Sequence, residues 1–184
     1  SMTVAREVSL KKTNDGYILK NIPVAQLKKY QGKSTRKTIK VKAENQLIEK
    51  SQIDLSKAVV DLDLKKMTAG KYTFALKNAL GEELTFGIDN TTKELFVDRS
   101  KSGNTDFGNH FATAVSKAPL NKVYSNVKMK LVIDKTSIEI FFFNDGEKVL
   151  TEIFFPNEHF SELYLSTDTK GSTLNIRGHQ LNIN

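Results

Sequence analysis

Apolar and polar residues alternate with a period of two along most of this chain, which is typical of β-strands that bury one face. Short groups of Asn, Asp, Gly and Thr separate the alternating segments. The alternation predicts strands at 60–65, 72–77, 84–88, 95–97, 127–133, 138–142 and 149–155, and closing strands at 163–165, 174–176 and 181–183. Two antiparallel sheets stacked on each other bury such strands best. We therefore predict an all-β fold, a sandwich of two antiparallel sheets of the concanavalin or lectin-like kind, with little helix.

Helix is predicted in only two short places. Residues 24–30 favour a short helix with Pro23 at its first turn, and residues 109–112 favour a single further turn. The length of 184 residues suits one domain overall. Within it, we expect residues 1–31 to be an N-terminal attachment arm that packs on the sandwich, and residues 32–184 to be the β-sandwich module.

The composition is that of an ordinary globular protein, with 39% hydrophobic and 27% charged residues. No apolar run approaches the roughly 20 residues that a membrane span needs, so we expect none. The absence of cysteine excludes disulfides, thiolate metal sites and cysteine nucleophiles. The net charge of +7 comes mainly from lysines scattered along strands, as at 128–131. This distribution favours solvated strand faces over a nucleic-acid partner.

Three stretches of sequence resemble a known family when they are taken together. They are REVSL at 6–10 with DGY at 15–17 and PV at 23–24; ELFVDRSKSG at 94–103; and IDKTSIEIF at 133–141 with NDG at 144–146 and FFP at 154–156. In this order and spacing they resemble the C-terminal domain of glycoside hydrolase family 32, the family of levanases, inulinases and invertases. Two features depart from the family pattern. Lys135 stands where the family commonly has arginine, and the phenylalanine run 141–143 is one residue longer, which predicts a bulge or a local uncertainty in strand register near the hairpin.

The resemblance implies a module without an active site. In that family a five-bladed β-propeller precedes the sandwich and carries the catalytic residues, and this sequence has no tryptophan, no cysteine and no Arg-Asp-Pro motif. The resemblance further implies a parent enzyme that hydrolyses β-fructofuranosyl linkages in levan, inulin or sucrose without a metal or organic cofactor. The module would stabilise the propeller of the same parent chain, with contacts to fructan or to other subunits at its edge. An extracytoplasmic location is expected for the parent.

The charged residues of these motifs are predicted to be structural rather than catalytic. Glycoside hydrolysis needs two carboxyl groups on either side of the bond, about 5 Å apart in retaining enzymes. Asp98 and Arg99 are neighbours on one strand and point to opposite faces, so they are expected to hold the strand and the following loop. The full set of predicted structural residues is Asp98, Arg99, Ser102, Gly103, Asp134, Glu139, Asn144, Asp145 and Gly146, with the last three forming a hairpin turn.

Two other functions remain open at this stage. The first is an autonomous carbohydrate-binding module for fructan, which would use exposed aromatic rings; most candidates sit at alternating positions that face a core. These candidates are Tyr30, Tyr72, Tyr124, Tyr164 and the run 141–143. The second is a basic nucleic-acid binder, but no clustered patch of arginines and aromatic residues supports it. The histidines, His110, His159 and His179, lack the spacing of metal ligands.

Overall fold

The computed structural model describes residues 3–14, 16–50, 52–108, 110–143 and 146–182. Within these residues the chain forms fourteen strands and one 3₁₀ helix, Ala25–Tyr30. The strands are β1 (Arg6–Thr13), β2 (Gly16–Pro23), β3 (Gln31–Lys40), β4 (Gln46–Lys50), β5 (Ala58–Lys65), β6 (Lys71–Lys77), β7 (Glu83–Asp89), β8 (Glu94–Lys101), β9 (Ser116–Pro119), β10 (Asn126–Asp134), β11 (Ser137–Phe142), β12 (Lys148–Ile153), β13 (Glu162–Thr167) and β14 (Thr173–Leu181).

Two six-stranded antiparallel sheets build the body of the molecule. The first sheet has the strand order β12-β11-β10-β5-β14-β3, and the second has the order β4-β13-β6-β7-β8-β9. Their inner faces share one apolar core, in which Phe74 and Phe86 stack with ring centroids 5.5 Å apart. The outer face of the first sheet carries the alternate residues of its strands, which are mostly polar. It also carries a smaller apolar cluster, on which Val4 and Leu27 pack: Val59, Val132, Phe141 and Leu181. The predicted sandwich of two antiparallel sheets is confirmed.

Strands β1 and β2 form a separate two-stranded hairpin that joins neither large sheet. The 3₁₀ helix follows it, in agreement with the helix predicted at 24–30, and leads directly into β3 at the edge of the first sheet. The predicted turn at 109–112 is described only from residue 110, where the Phe111 N–H donates to the Gly108 carbonyl over 3.1 Å. No membrane-crossing helix occurs among the residues described above.

Two local predictions are wrong. Leu174, Ile176 and Leu181 lie on the single strand β14, because residues 177–180 stay hydrogen-bonded within the sheet instead of turning; Ile183 lies outside the described residues. The bulge expected in the phenylalanine run is absent, since β11 pairs in regular register with both neighbours through Phe142. Phe143 takes up the extra length by adopting a positive φ of 63° at the start of the turn.

Candidate functional site

The residues of the β8 motif join the two sheets at one edge of the sandwich. Arg99 Nη1 donates to the Ile153 carbonyl over 2.9 Å and lies 3.3 Å from a carboxylate oxygen of Glu152, so β8 is tied to β12. Asp98 instead accepts a hydrogen bond from the Ser100 N–H over 2.9 Å. This geometry supports a structural role for both side chains, and Asp98 also lines a shallow cleft of about 310 Å³ together with Asp89 and Glu94.

The end of the same motif holds a tight chain crossing. The Ser102 hydroxyl donates to the Arg99 carbonyl over 2.8 Å and is fully buried. Gly103 follows with a positive φ of 113°, and a side chain there would meet the backbone of Phe155 and Pro156. Only glycine fits this close approach of two backbones.

Three phenylalanine rings form a cluster beside this crossing that sequence reasoning missed. Phe107 lies 4.5 Å from Phe155 and 5.2 Å from Phe111 between ring centroids, and the Arg99 guanidinium lies 4.3 Å from the centroid of Phe111. Phe107 remains 58% exposed. Phe107 and Phe111 belong to an irregular loop without alternation, so no periodic signal could have identified the cluster.

Asp134 and Glu139 line the same cleft, of about 450 Å³, beside Val4. Asp134 accepts a hydrogen bond from the Lys135 N–H over 2.8 Å at the end of β10. Glu139 is buried, with 5% exposure, and its carboxylate accepts hydrogen bonds from the Val4 N–H over 2.6 Å and from Arg6 Nε over 3.1 Å. Glu139 therefore anchors the N-terminal arm to the sandwich.

The predicted hairpin turn is described only in part. Asn144 and Asp145 lie outside the described residues, whereas Gly146 has a positive φ of 61°. Its carbonyl accepts a hydrogen bond from the Asn21 N–H over 3.0 Å, and a side chain on Gly146 would collide with the Asn21 backbone. Gly146 thus allows the positive φ of the turn, and its lack of a side chain also lets β2 lie against the turn.

The histidines do not converge on a site. Among the described residues, no group of three or more His, Asp and Glu side chains is placed to hold a metal ion. His179 lies on the first sheet, where burial and the neighbouring Arg177 guanidinium lower its pKa below the usual value. A neutral His179 is therefore expected at physiological pH.

Most of the aromatic candidates for sugar stacking are unavailable. Tyr72 is fully buried, and its hydroxyl accepts a hydrogen bond from the Thr68 N–H over 3.0 Å. Tyr30 is the exposed exception among them, at 50%. The remaining candidates are buried or half-buried: Tyr124, Tyr164, Phe141, Phe142 and Phe143.

A cleft of about 590 Å³ lies between the hairpin and the outer face of the first sheet; we call it the outer-face cleft. Leu62 of β5 points into the core, so its neighbours Asp61 and Asp63 point outward. The cleft is lined by Ile22, Pro23, Arg36, Asp61, Leu62, Asp63, Lys128, Met129, Lys130, Phe141, Phe143, Gly146 and Arg177. Sequence reasoning interpreted these aspartates only as the polar half of a strand.

The strand register places opposite charges side by side across this cleft. Asp61 lies between Lys130 on β10 and Arg177 on β14, and its carboxylate pairs with the Lys130 ammonium. Arg177 lies directly opposite Arg36 on β3. The floor of the cleft thus holds both hydrogen-bond donors and carboxylate acceptors, a mixture that neutral hydroxyl groups can satisfy.

The hairpin presents an unusual apolar surface on its other side. Because directly paired residues share a face, Leu10 and Leu19 lie together with Val8 and Tyr17. These four side chains are 60% (Val8), 67% (Leu10), 67% (Tyr17) and 51% (Leu19) exposed. We call this surface the hairpin apolar face.

Residues 25–180 match the family described as glycosyl hydrolases family 32 C terminal. The chain belongs to this family. The resemblance inferred from the three motifs is confirmed, and the two sheets are those of a family 32 C-terminal domain. The hairpin, at residues 6–23, precedes the matched segment.

Individual relatives extend the match. The chain is 31% identical over 166 residues to a levanase from Bacillus subtilis (strain 168), covering 89% of this chain and 24% of the levanase. It is 31% identical over 122 residues to an extracellular exo-inulinase from Aspergillus awamori, covering 64% of this chain and 22% of that protein. A crystal structure of exo-inulinase from Aspergillus awamori superimposes with a TM-score of 0.78 at 25% identity, over 97% of this chain and 35% of that one. The family 32 domain thus spans about a quarter of its curated relatives.

Proposed function

We propose that this chain is the non-catalytic C-terminal module of a fructan- or sucrose-hydrolysing glycoside hydrolase. Its role is to stabilise a catalytic β-propeller that precedes it in the parent chain. The family match and the kinship with levanase and exo-inulinase support the class of parent enzyme. The short span of the chain relative to those proteins supports the placement of catalysis outside it.

The hairpin apolar face is the observation that carries this proposal. An isolated two-stranded hairpin is at best marginally stable in water, and this one exposes Val8, Leu10, Tyr17 and Leu19 on one side. Burial of a leucine side chain contributes about 2 kcal/mol, so a partner that covers this face gains substantial stability. We assign the preceding catalytic domain as that partner, because the hairpin lies on the N-terminal side of the matched family segment.

The anchoring of the hairpin makes it suited to hold two domains together. Its base is fixed to the sandwich by the Arg6–Glu139 ion pair, and β2 is fixed by the bond from Asn21 to Gly146. Lys11 adds an ion pair to Glu147 at 2.9 Å. Three residues of the hairpin, Arg6, Lys11 and Asn21, thus tie it to the sandwich. A domain docked on the apolar face would therefore be held in a defined position relative to the sandwich.

The arrangement of carboxylates supports a module without hydrolytic activity. Asp98, Asp134 and Glu139 each accept a hydrogen bond from a backbone N–H group, and Glu139, which shares a cleft with Asp134, is also held in an ion pair with Arg6. In the outer-face cleft, Asp61 and Asp63 are each paired with a lysine, Lys130 and Lys65. A retaining glycosidase instead requires one carboxyl group that keeps its proton and one that attacks the sugar.

We also propose that the parent enzyme acts outside the cytoplasm. One relative is described as an extracellular exo-inulinase, and polymeric fructans are substrates that an exported enzyme can reach. Fractionation of the source cells should place the parent protein in the medium, the periplasm or the cell surface. Recovery in the cytoplasm alone would contradict this part of the proposal.

Substitution of the hairpin apolar face tests the proposed role. In the parent enzyme, the double change Leu10→Lys and Leu19→Lys should shorten the half-life of fructose release at elevated temperature. The loss of about 4 kcal/mol of apolar burial corresponds to a change on the order of 1,000-fold in the docking equilibrium. The same change in the isolated chain should leave its unfolding midpoint almost unchanged, because both leucines are already exposed there.

Leu80→Lys is the matched control, since Leu80 is 56% exposed but lies in the turn between β6 and β7. It should leave the half-life of the parent unchanged. Equal half-lives for the hairpin variant and the unchanged parent would contradict the proposal. Loss of a dimer without loss of the half-life would assign the face to contacts between copies of the protein instead.

A further inference from the structure

The outer-face cleft holds polar groups whose bonding capacity is unused. Asp63 Oδ2 lies 3.1 Å from the Lys65 ammonium, but Asp63 Oδ1 is buried and accepts no hydrogen bond. Within the described part of the chain, Arg36, Arg177 and Lys128 have no carboxylate within ion-pair distance, although all three line the cleft. A buried acceptor without a protein donor is uncommon, and an ordered water or a hydroxyl group of a ligand can supply the donor.

The chemistry of the cleft favours a neutral polyhydroxyl ligand over an anion. Sugar hydroxyls both donate and accept, so they can donate to Asp63 while accepting from Arg36 and Arg177. An anion would satisfy the arginines but would be repelled by Asp61, which lies between Lys130 and Arg177, and by Asp63, which lies between Lys128 and Asn175. The presence of both carboxylates and guanidinium groups in the floor therefore favours hydroxyl groups.

The walls of the cleft supply apolar surface for the carbon skeleton of a sugar. Ile22 and Pro23 of the hairpin form one wall, and Phe143, packed 4.6 Å from Tyr124 between ring centroids, forms part of another. The volume of about 590 Å³ lies within the range of 300 to 1,000 Å³ that is usual for ligand clefts. It is large enough for several sugar rings.

The position of the cleft is compatible with domain docking. Ile22 lines the cleft, whereas Leu19, which is three residues earlier on β2, belongs to the hairpin apolar face. Residues separated by an odd number on a strand point to opposite sides. A domain on the apolar face would therefore leave the cleft open on the other side of the hairpin.

We infer that the outer-face cleft is a binding site for fructooligosaccharides, in which Asp63 accepts from sugar hydroxyls and Arg36 and Arg177 donate to them. The class of sugar rests on the proposed function, because the parent is assigned to fructan substrates. The site would hold a fructan chain on the module and raise its local concentration beside the attached catalytic domain.

Isothermal titration of the purified 184-residue chain with inulin-type and levan-type oligosaccharides tests the inference. We expect saturable binding with one site per chain and little dependence on salt. Asp63→Asn and Arg177→Ala should each weaken binding at least 10-fold, while circular dichroism confirms the fold. Asp134→Asn removes a carboxylate outside the cleft and should leave the affinity unchanged.

Three results would overturn the assignment. The first is the absence of saturable heat with either fructan series. The second is binding that survives both cleft substitutions but is lost in Phe107→Ala, which would place the sugar on the phenylalanine cluster. The third is binding of inorganic phosphate that weakens with added salt, together with no binding of the sugars, which would make the cleft an anion site.

Cellohexaose separates failure of the inference from failure of the proposed function. Binding of cellohexaose but not of fructans, with the same sensitivity to Asp63→Asn, would overturn the fructan assignment and contradict the proposed parent enzyme. If none of the sugars bound, only the assignment of the cleft as a sugar site would be overturned. The proposed function would stand or fall separately, because it is tested by the half-life of the parent enzyme with the substituted hairpin.

Discussion

Gly103→Ala is expected to destabilise the chain by about 3 kcal/mol or more in equilibrium unfolding by urea. Gly103 has a φ of 113°, a conformation that residues with a Cβ atom rarely adopt. Its new methyl group would also lie 2.5 Å from the Pro156 Cα and even closer to the Phe155 carbonyl. Both neighbours are backbone atoms, which cannot move aside as a flexible side chain could. The cost of overpacking therefore adds to the cost of the strained backbone conformation.

Gly171→Ala separates these two causes. Gly171 also has a positive φ, of 91°, but an added Cβ would have nothing within 4 Å. This control should lose only about 1 kcal/mol, from backbone strain alone. Equal losses in the two variants would mean that the crossing of the β8 motif over residues 155 and 156 is not as close as the structure describes.

Glu139→Ala is expected to release the N-terminal arm and to cost about 2 kcal/mol. The change removes the acceptor of the Val4 N–H and the partner of Arg6. Loss of one partner of a buried ion pair usually costs about 3 to 5 kcal/mol, but the Arg6 side chain is 21% exposed and water recovers part of that loss. Limited trypsin digestion with mass spectrometry should show faster cleavage after Arg6, Lys11 and Lys20.

Glu147→Ala is the control for this second prediction. It breaks the more exposed ion pair with Lys11, in which the two side chains are 46% (Lys11) and 28% (Glu147) exposed. Such pairs contribute about 0.5 kcal/mol, so cleavage in the arm should change little. If Glu139→Ala left the arm as resistant as Glu147→Ala does, Glu139 would not be its anchor.

The sequence was sufficient to predict the sandwich because its central strands alternate strictly. Segments such as 60–65 and 84–88 must bury one face, and two stacked sheets follow from that requirement. Strand β3 was missed because it is an edge strand with polar residues on both faces, apart from Ile39. Strand β14 was divided in two because Gly178 interrupts its apolar pattern, whereas hydrogen bonds to both neighbours keep it continuous.

The candidate sites were less predictable because they depend on contacts between distant parts of the chain. Arg6 and Glu139 are 133 residues apart, and no local pattern links them. The cleft likewise requires the register that sets Asp61 beside Lys130 and Arg177. Alternation identifies which residues of a strand are polar, but it does not identify their neighbours on the adjacent strands.

The most direct test of a module without catalysis is fructose release by the purified chain on levan, inulin and sucrose. We expect no release above a buffer control, even at high protein concentration and long incubation. Fructose release that follows the chain through successive purification steps would contradict the proposed function, because it would require an active site within these 184 residues.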